Sequence, residues 1–186
     1  EADISAEDRQ LQFFNIVIQN IKDIAIIKEE LDNRNLIQDG RFGLAGTSMG
    51  GITTAGALTQ YPWIKASAIL MGSPNITDYA KLLVAQLERT NRQIPLSQQE
   101  IDYIYQSLDQ IDLSKQMDAL NGRPIFFWHG EKDPVIPFNH AYSFYESAIE
   151  KYKNPENIRF LREVDRGHKV SRFAILETVD WFELQL

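Results

Sequence analysis

Arg41-Phe42-Gly43-Leu44-Ala45-Gly46-Thr47-Ser48-Met49-Gly50-Gly51 is the stretch that decides the fold. Its first half, Arg41 to Gly46, is a short apolar run that follows the turn residues Asn33, Asn35 and Asp39-Gly40. Such a run fits a buried strand. Its second half opens a helix-like segment, Met49 to Gln60, rich in small residues and stopped at Tyr61-Pro62 because the residue before proline is biased out of the helical region. At the junction, Gly46-Thr47-Ser48-Met49-Gly50 has the form G-x-S-x-G. A serine on a sharp strand-to-helix turn has strained backbone angles and projects its Oγ above the sheet. The flanking Gly46 and Gly50 are then expected to approach each other too closely for a Cβ. The helix that starts there aims its amides at the site, and the Met49 N–H is the expected donor to a developing oxyanion.

Working outward, strands and helices alternate. Upstream, Phe14, Val17, Ile18, Ile21, Ile24, Ala25 and Leu31 recur at helical spacing, with Ser5 and Asp8 as a start signal. Downstream, strands are expected at Ala66–Met71, Pro124–His129 and Asn157–Leu161. Helices are expected at Phe138–Lys153 and Ser171–Leu186, the last with Phe173, Leu176, Val179 and Phe182 in register. Residues 75–120 break the alternation with two helical stripes: Tyr79, Leu82, Leu83 and Leu87, then Ile101, Ile104, Tyr105 and Leu108 behind a capping box at Ser97–Glu100. Alternation of this kind implies a parallel sheet, here of about four strands, with helices on both faces.

A serine nucleophile needs a base, and the base needs an orienting carboxylate. The chain has three histidines. His168 lies on the loop between the fourth strand and the last helix, the place of the base. His129 ends the third strand and reads as a packing or hydrogen-bonding residue beneath the acid turn; His140 reads as a surface residue at a helix start. The acid should follow a strand and precede His168. Asp133, in the loop His129-Gly130-Glu131-Lys132-Asp133-Pro134, is favoured over Asp78, which follows the second strand. Asp165 is too near His168 in sequence, and Glu131 points elsewhere. Asp133 also fits a plain turn cap before Pro134. Ser48, Asp133 and His168 thus fall at the carboxyl ends of different strands, where open α/β sheets bind ligands.

Composition narrows the classes. The 186 residues are 44% hydrophobic and carry 19 basic against 26 acidic side chains, a net charge of −7. That composition is globular, and its acidic balance disfavours nucleic acid as a partner. No apolar run reaches the roughly 18–20 residues of a membrane-spanning helix. Cysteine is absent, so disulfides and thiolate metal sites are excluded, and a reducing, cytoplasmic setting is expected. No metal-ligand cluster is legible and no cofactor is expected.

Three segments carry a family resemblance: Gly43-Leu44-Ala45-Gly46-Thr47-Ser48-Met49-Gly50-Gly51-Ile52; Phe127-Trp128-His129-Gly130-Glu131-Lys132-Asp133 with Val135-Ile136-Pro137; and Gly167-His168-Lys169-Val170. Together with the Leu70-Met71-Gly72-Ser73-Pro74 strand end, they make the chain resemble the α/β-hydrolase superfamily. Within it, the likeness is to small bacterial esterases related to dienelactone hydrolases and to the catalytic domain of prolyl oligopeptidases. The resemblance runs nearly the whole chain. It implies Ser48 as nucleophile, His168 as base and acid, Asp133 as orienting acid, and the Met49 amide as one oxyanion donor. It implies one domain, residues 1–186, corresponding to the C-terminal half of the fold, with 75–120 as a helical cap insert and Leu83, Leu87, Ile104 and Tyr105 as candidates to face the pocket. By the same resemblance the elbow strand should be central; here it is expected at an edge, near Phe42, open to a missing N-terminal segment or to a second copy of the chain. The implied activity is hydrolysis of a small-molecule carboxylic ester. The alternatives are a prolyl-oligopeptidase-type peptidase or amidase, and a non-catalytic binding module on the same scaffold.

Overall fold

The computed structural model describes residues 6–89 and 96–186. The elements are α1 (Ala6–Asn33), β1 (Gly43–Thr47), α2 (Met49–Gln60), β2 (Ala66–Leu70), α3 (Ile76–Arg89), α4 (Gln98–Asp109), β3 (Ile125–Gly130), α5 (Phe138–Ile149), β4 (Ile158–Glu163) and α6 (Arg172–Gln185), with 3₁₀ turns at Met117–Leu120 and Pro155–Asn157. Ser5, half of the expected start signal of α1, lies outside the described residues. The capping box of α4 forms as expected: Ser97 accepts from the Glu100 amide while the Glu100 carboxylate accepts from the Ser97 amide.

The four strands lie in the order β1-β2-β3-β4, all parallel. Sequential order with right-handed crossovers sends every connecting helix to the same face. The core divides accordingly. Ile69, Ile125, Phe127 and Ile158 pack with Val17, Ile21, Ile52, Leu58 and Phe144 of the helices on that face. The alternate strand residues Ala68, Leu70, Phe126 and Trp128 face the other way, onto Ala174 and Trp181 of α6. β3 is buried along its whole length, as a strand covered on both faces must be.

β1 stands at the sheet edge, as expected, and its Ala45 and Thr47 are exposed. α6 itself corrects the reading of its stripe. Phe173, Leu176 and Val179 are about half exposed, whereas Ala174, Thr178 and Trp181 are buried. The small Ala174 and Thr178 allow the helix to approach the sheet closely. Trp181 then fills the space and donates its indole N–H to Ser67 O at 3.1 Å. Of the expected stripe, Phe182 does pack inward: a Cβ on Gly43 would lie 2.7 Å from its ring, and the same distance from Leu186.

Behind the sheet, Arg123 ties the connections together. Its guanidinium donates to the carbonyls of Leu58 and Tyr61 at the end of α2, to Ile64, and to Ala119 and Leu120. Loop and helix-end carbonyls that would be orphaned are thereby satisfied. No helix among the described residues is long and apolar enough to cross a membrane.

Candidate active site

The register of the sheet brings the three loops together. Thr47 pairs with Leu70, Leu70 with Trp128, and Gly130 with Glu163, so the residues that follow β1, β3 and β4 emerge at one end.

Ser48 sits at the β1–α2 junction with φ 55° and ψ −117°, a strained conformation for a residue with a Cβ. Its amide is held by Leu70 O at 2.8 Å and its carbonyl accepts from Ile52 N at 3.0 Å. The side chain does not cap α2. Instead its Oγ lies 2.8 Å from His168 Nε2.

The glycines around the turn differ from expectation. A Cβ on Gly46 would fall 1.9 Å from Gly50 O, which no relaxation could absorb. A Cβ on Gly50 would meet nothing within 4 Å, so the expected clash at that position is absent. The reason is direction: the backbone carbonyl of Gly50, not its Cα hydrogen, faces Gly46. The second tight approach is instead between Gly51 and Gly72, where a Cβ on Gly72 would lie 2.7 Å from the Gly51 carbonyl carbon.

Asp133 is fully buried by its side chain. One carboxylate oxygen accepts from the Val135 and Ile136 amides at 2.8 and 3.0 Å, and the other accepts from His168 Nδ1 at 2.7 Å. The turn cap and the contact with His168 thus coexist, one on each carboxylate oxygen. His168 retains about one-fifth of its side-chain exposure, enough to face a substrate. Its loop is braced against the acid loop, with Glu131 N donating to Glu163 O and Lys132 N to Arg166 O. A Cβ on Gly130 would strike Arg166 O at 2.3 Å.

The other candidates lie elsewhere. Asp78 is exposed and pairs with Lys81; Asp165 is exposed and pairs with Lys132. Glu131 turns toward Arg162. His129 is completely buried, with Nε2 3.0 Å from Ile136 O and 3.3 Å from Asp133 Oδ2. Burial pushes its pKa down, with the nearby Asp133 charge opposing, so Nε2 carries the proton of a neutral ring and Nδ1 is left without a partner. His140 is not simply a surface residue: it is partly buried, its Nδ1 lies 3.1 Å from Ser73 Oγ, and its ring meets Tyr79 edge-on. Chain position could not show this, because the partners come from the β2–α3 segment.

Beside Ser48 lies a cavity of about 450 Å³, walled by Phe13, Tyr79, Leu83, Gln86, Pro134, Val135 and Ile136. Of the four expected pocket residues only Leu83 lines it; Leu87 is buried, Tyr105 packs on the core, and Ile104 borders a separate groove between α1 and α4. Phe13 and Tyr79, unmarked in the sequence as pocket residues, are the additions. Among the described residues no three His, Asp or Glu side chains converge as a metal-ligand set.

Residues 17–184 match the prolyl oligopeptidase family. The chain is 39% identical over 185 residues to the esterase-named YitV of Bacillus subtilis (strain 168), covering 99% of this chain and 72% of that protein. It is 27% identical over 148 residues to Esterase YjfP of Escherichia coli (strain K12), covering 78% of this chain and 57% of that protein. The fold is shared with the acylaminoacyl peptidase of Pyrococcus horikoshii, at TM-score 0.70 and 18% identity, over 93% of this chain and 28% of that one. The chain belongs to the prolyl oligopeptidase family and has an α/β-hydrolase fold.

Proposed function

We propose that the protein is a serine hydrolase that cleaves small carboxylic esters through Ser48, His168 and Asp133. The observation that carries this reading is the continuous chain of contacts from Ser48 Oγ to His168 Nε2, 2.8 Å, and from His168 Nδ1 to Asp133, 2.7 Å. Ser48 Oγ attacks the ester carbonyl as its proton passes to His168 Nε2. The carbonyl π pair moves onto oxygen, where the Met49 N–H stabilises it. The intermediate collapses, the C–O bond to the alcohol breaks, and His168 returns the proton to the leaving oxygen. Water, deprotonated by His168, then hydrolyses the acyl-enzyme. Asp133 keeps the imidazole in the tautomer with Nε2 free to accept, and stabilises the imidazolium.

The helical insert acts as the cap over this site through α3, whose Tyr79, Leu83 and Gln86 line the cavity. The open edge of β1 makes full activity depend on a strand added there, from a segment preceding this chain or from a second copy. An active, monomeric preparation of these 186 residues alone would overturn that dependence.

The test is labelling by a fluorophosphonate together with hydrolysis of a short-chain chromogenic ester. A single adduct on Ser48, and loss of several orders of magnitude in rate in Ser48→Ala, are expected. Equal rates for wild type and variant would remove the proposal. The family match favours one second reading, a peptidase or amidase. Turnover of an aminoacyl amide faster than its matched ester would select it. An intact, folded protein that takes up no probe would instead select a non-catalytic binding module.

A further inference from the structure

The cavity beside Ser48 has walls that are apolar except at Tyr79 and Gln86, and Gln86 has a partner of its own. Tyr79 is 5% exposed, with its ring set edge-on to Phe13 at 6.2 Å and to His140 at 6.3 Å. A buried tyrosine ordinarily gives its hydroxyl a partner, because a buried donor left unpaired loses its hydration without compensation. Among the described residues the Tyr79 hydroxyl has none. Nor is its oxygen sealed off, since the sealed and unpaired side-chain atoms are Asn75 Oδ1 and His129 Nδ1. The small surface that the residue keeps belongs to the wall of the cavity that holds Ser48. Burial, with the Asp133 charge second, pushes its pKa up, so the group is a neutral O–H donor.

We propose that Tyr79 selects the substrate: its hydroxyl donates a hydrogen bond to an oxygen carried by the chain that enters the cavity. The preferred substrates are then esters whose chain bears an ether, hydroxyl or carbonyl oxygen, rather than plain alkyl esters. This rests on the serine-hydrolase reading of the same site. The physical reason is asymmetry. An alkyl chain covering the hydroxyl leaves a buried donor unpaired, whereas an oxygen at that place satisfies it.

The experiment compares inactivation rates by phosphonofluoridates, which report on an activated serine whether the natural substrate is an ester or an amide. The chain on phosphorus is pentyl in one reagent and an ether isostere, 2-ethoxyethyl or 3-methoxypropyl, in the others. Each rate is divided by the reagent's rate with hydroxide. Wild type is expected to favour at least one ether over pentyl by roughly 3–10-fold, the worth of one net hydrogen bond. In Tyr79→Phe, which keeps the ring, that preference is expected to disappear. A wild type with no ether preference overturns the proposal without any variant. A preference that survives Tyr79→Phe overturns it too, as does an equal loss of rate with all reagents, which would place the hydroxyl on the oxyanion. In those cases labelling of Ser48 still stands. Absence of labelling in wild type would remove the hydrolase reading, and this proposal with it.

Discussion

The Nε2 of His129 lies 3.3 Å from the same carboxylate oxygen of Asp133 that His168 Nδ1 reaches at 2.7 Å, and both side chains are wholly buried. The His129 N–H, shared with Ile136 O, therefore holds the acid from beneath while His168 uses it from above. His129→Ala should leave Asp133 and Ile136 short of a donor, at a cost of about 1–3 kcal/mol in stability. The kcat of the proposed ester hydrolysis should drop on the order of tenfold, and His129→Gln, which offers an N–H at similar reach, should recover part of it. Equal kcat in wild type and His129→Ala would refute the positioning role.

His129, buried, and His140, partly buried, also shape the pH response. Burial depresses the pKa of His129 and of His140, with Asp133 and the Asp78 and Asp112 charges opposing at the two sites respectively. The unfolded chain then binds more protons than the folded one near the ordinary histidine pKa of about 6.5. Stability from these groups is fully present above that pH and declines as pH falls below it. Tm should drop between pH 7 and pH 5.5, and His140→Gln should flatten that drop. A Tm that rises toward pH 5.5 would contradict the assignment.

Gly46 and Gly50 occupy matching places in the motif but should respond oppositely to alanine. Gly46→Ala drives a Cβ into the Gly50 carbonyl at 1.9 Å and should yield little folded protein. Gly50→Ala meets open space inside a helix and should change stability by no more than about 1 kcal/mol, in either direction. Circular dichroism melts of the two variants decide this.

Arg123 should be the least replaceable cation among the described residues. It donates to five carbonyls from two segments, and Arg123→Ala strands several of them in a partly buried setting. A loss of about 2–4 kcal/mol is expected in urea unfolding. Arg123→Lys should recover less than half of it, since one ammonium cannot span that fork. Full recovery by lysine would show that charge alone, not geometry, matters.

Much of this molecule was legible in its sequence because local chemistry specifies it. Proline at 62 stops α2, Ser97 and Glu100 start α4, and the order of strand-end residues singles out Ser48, Asp133 and His168 as the set the sheet brings together. Those features depend on neighbours in the chain or on the alternation of strand and helix. What the tertiary structure alone decided depends on direction and on distant partners. Periodicity showed that α6 has apolar residues but not that it would turn Ala174, Thr178 and Trp181 to the sheet and leave Phe173, Leu176 and Val179 outward, because small residues permit the closer approach. The motif marked both glycines, but only the path of the Gly50 carbonyl shows that Gly46 carries the steric constraint. Phe13 and Tyr79 become cavity walls through the packing of α1 and α3 beside the elbow. No spacing in the sequence records that meeting, since the residues that meet there are far apart along the chain.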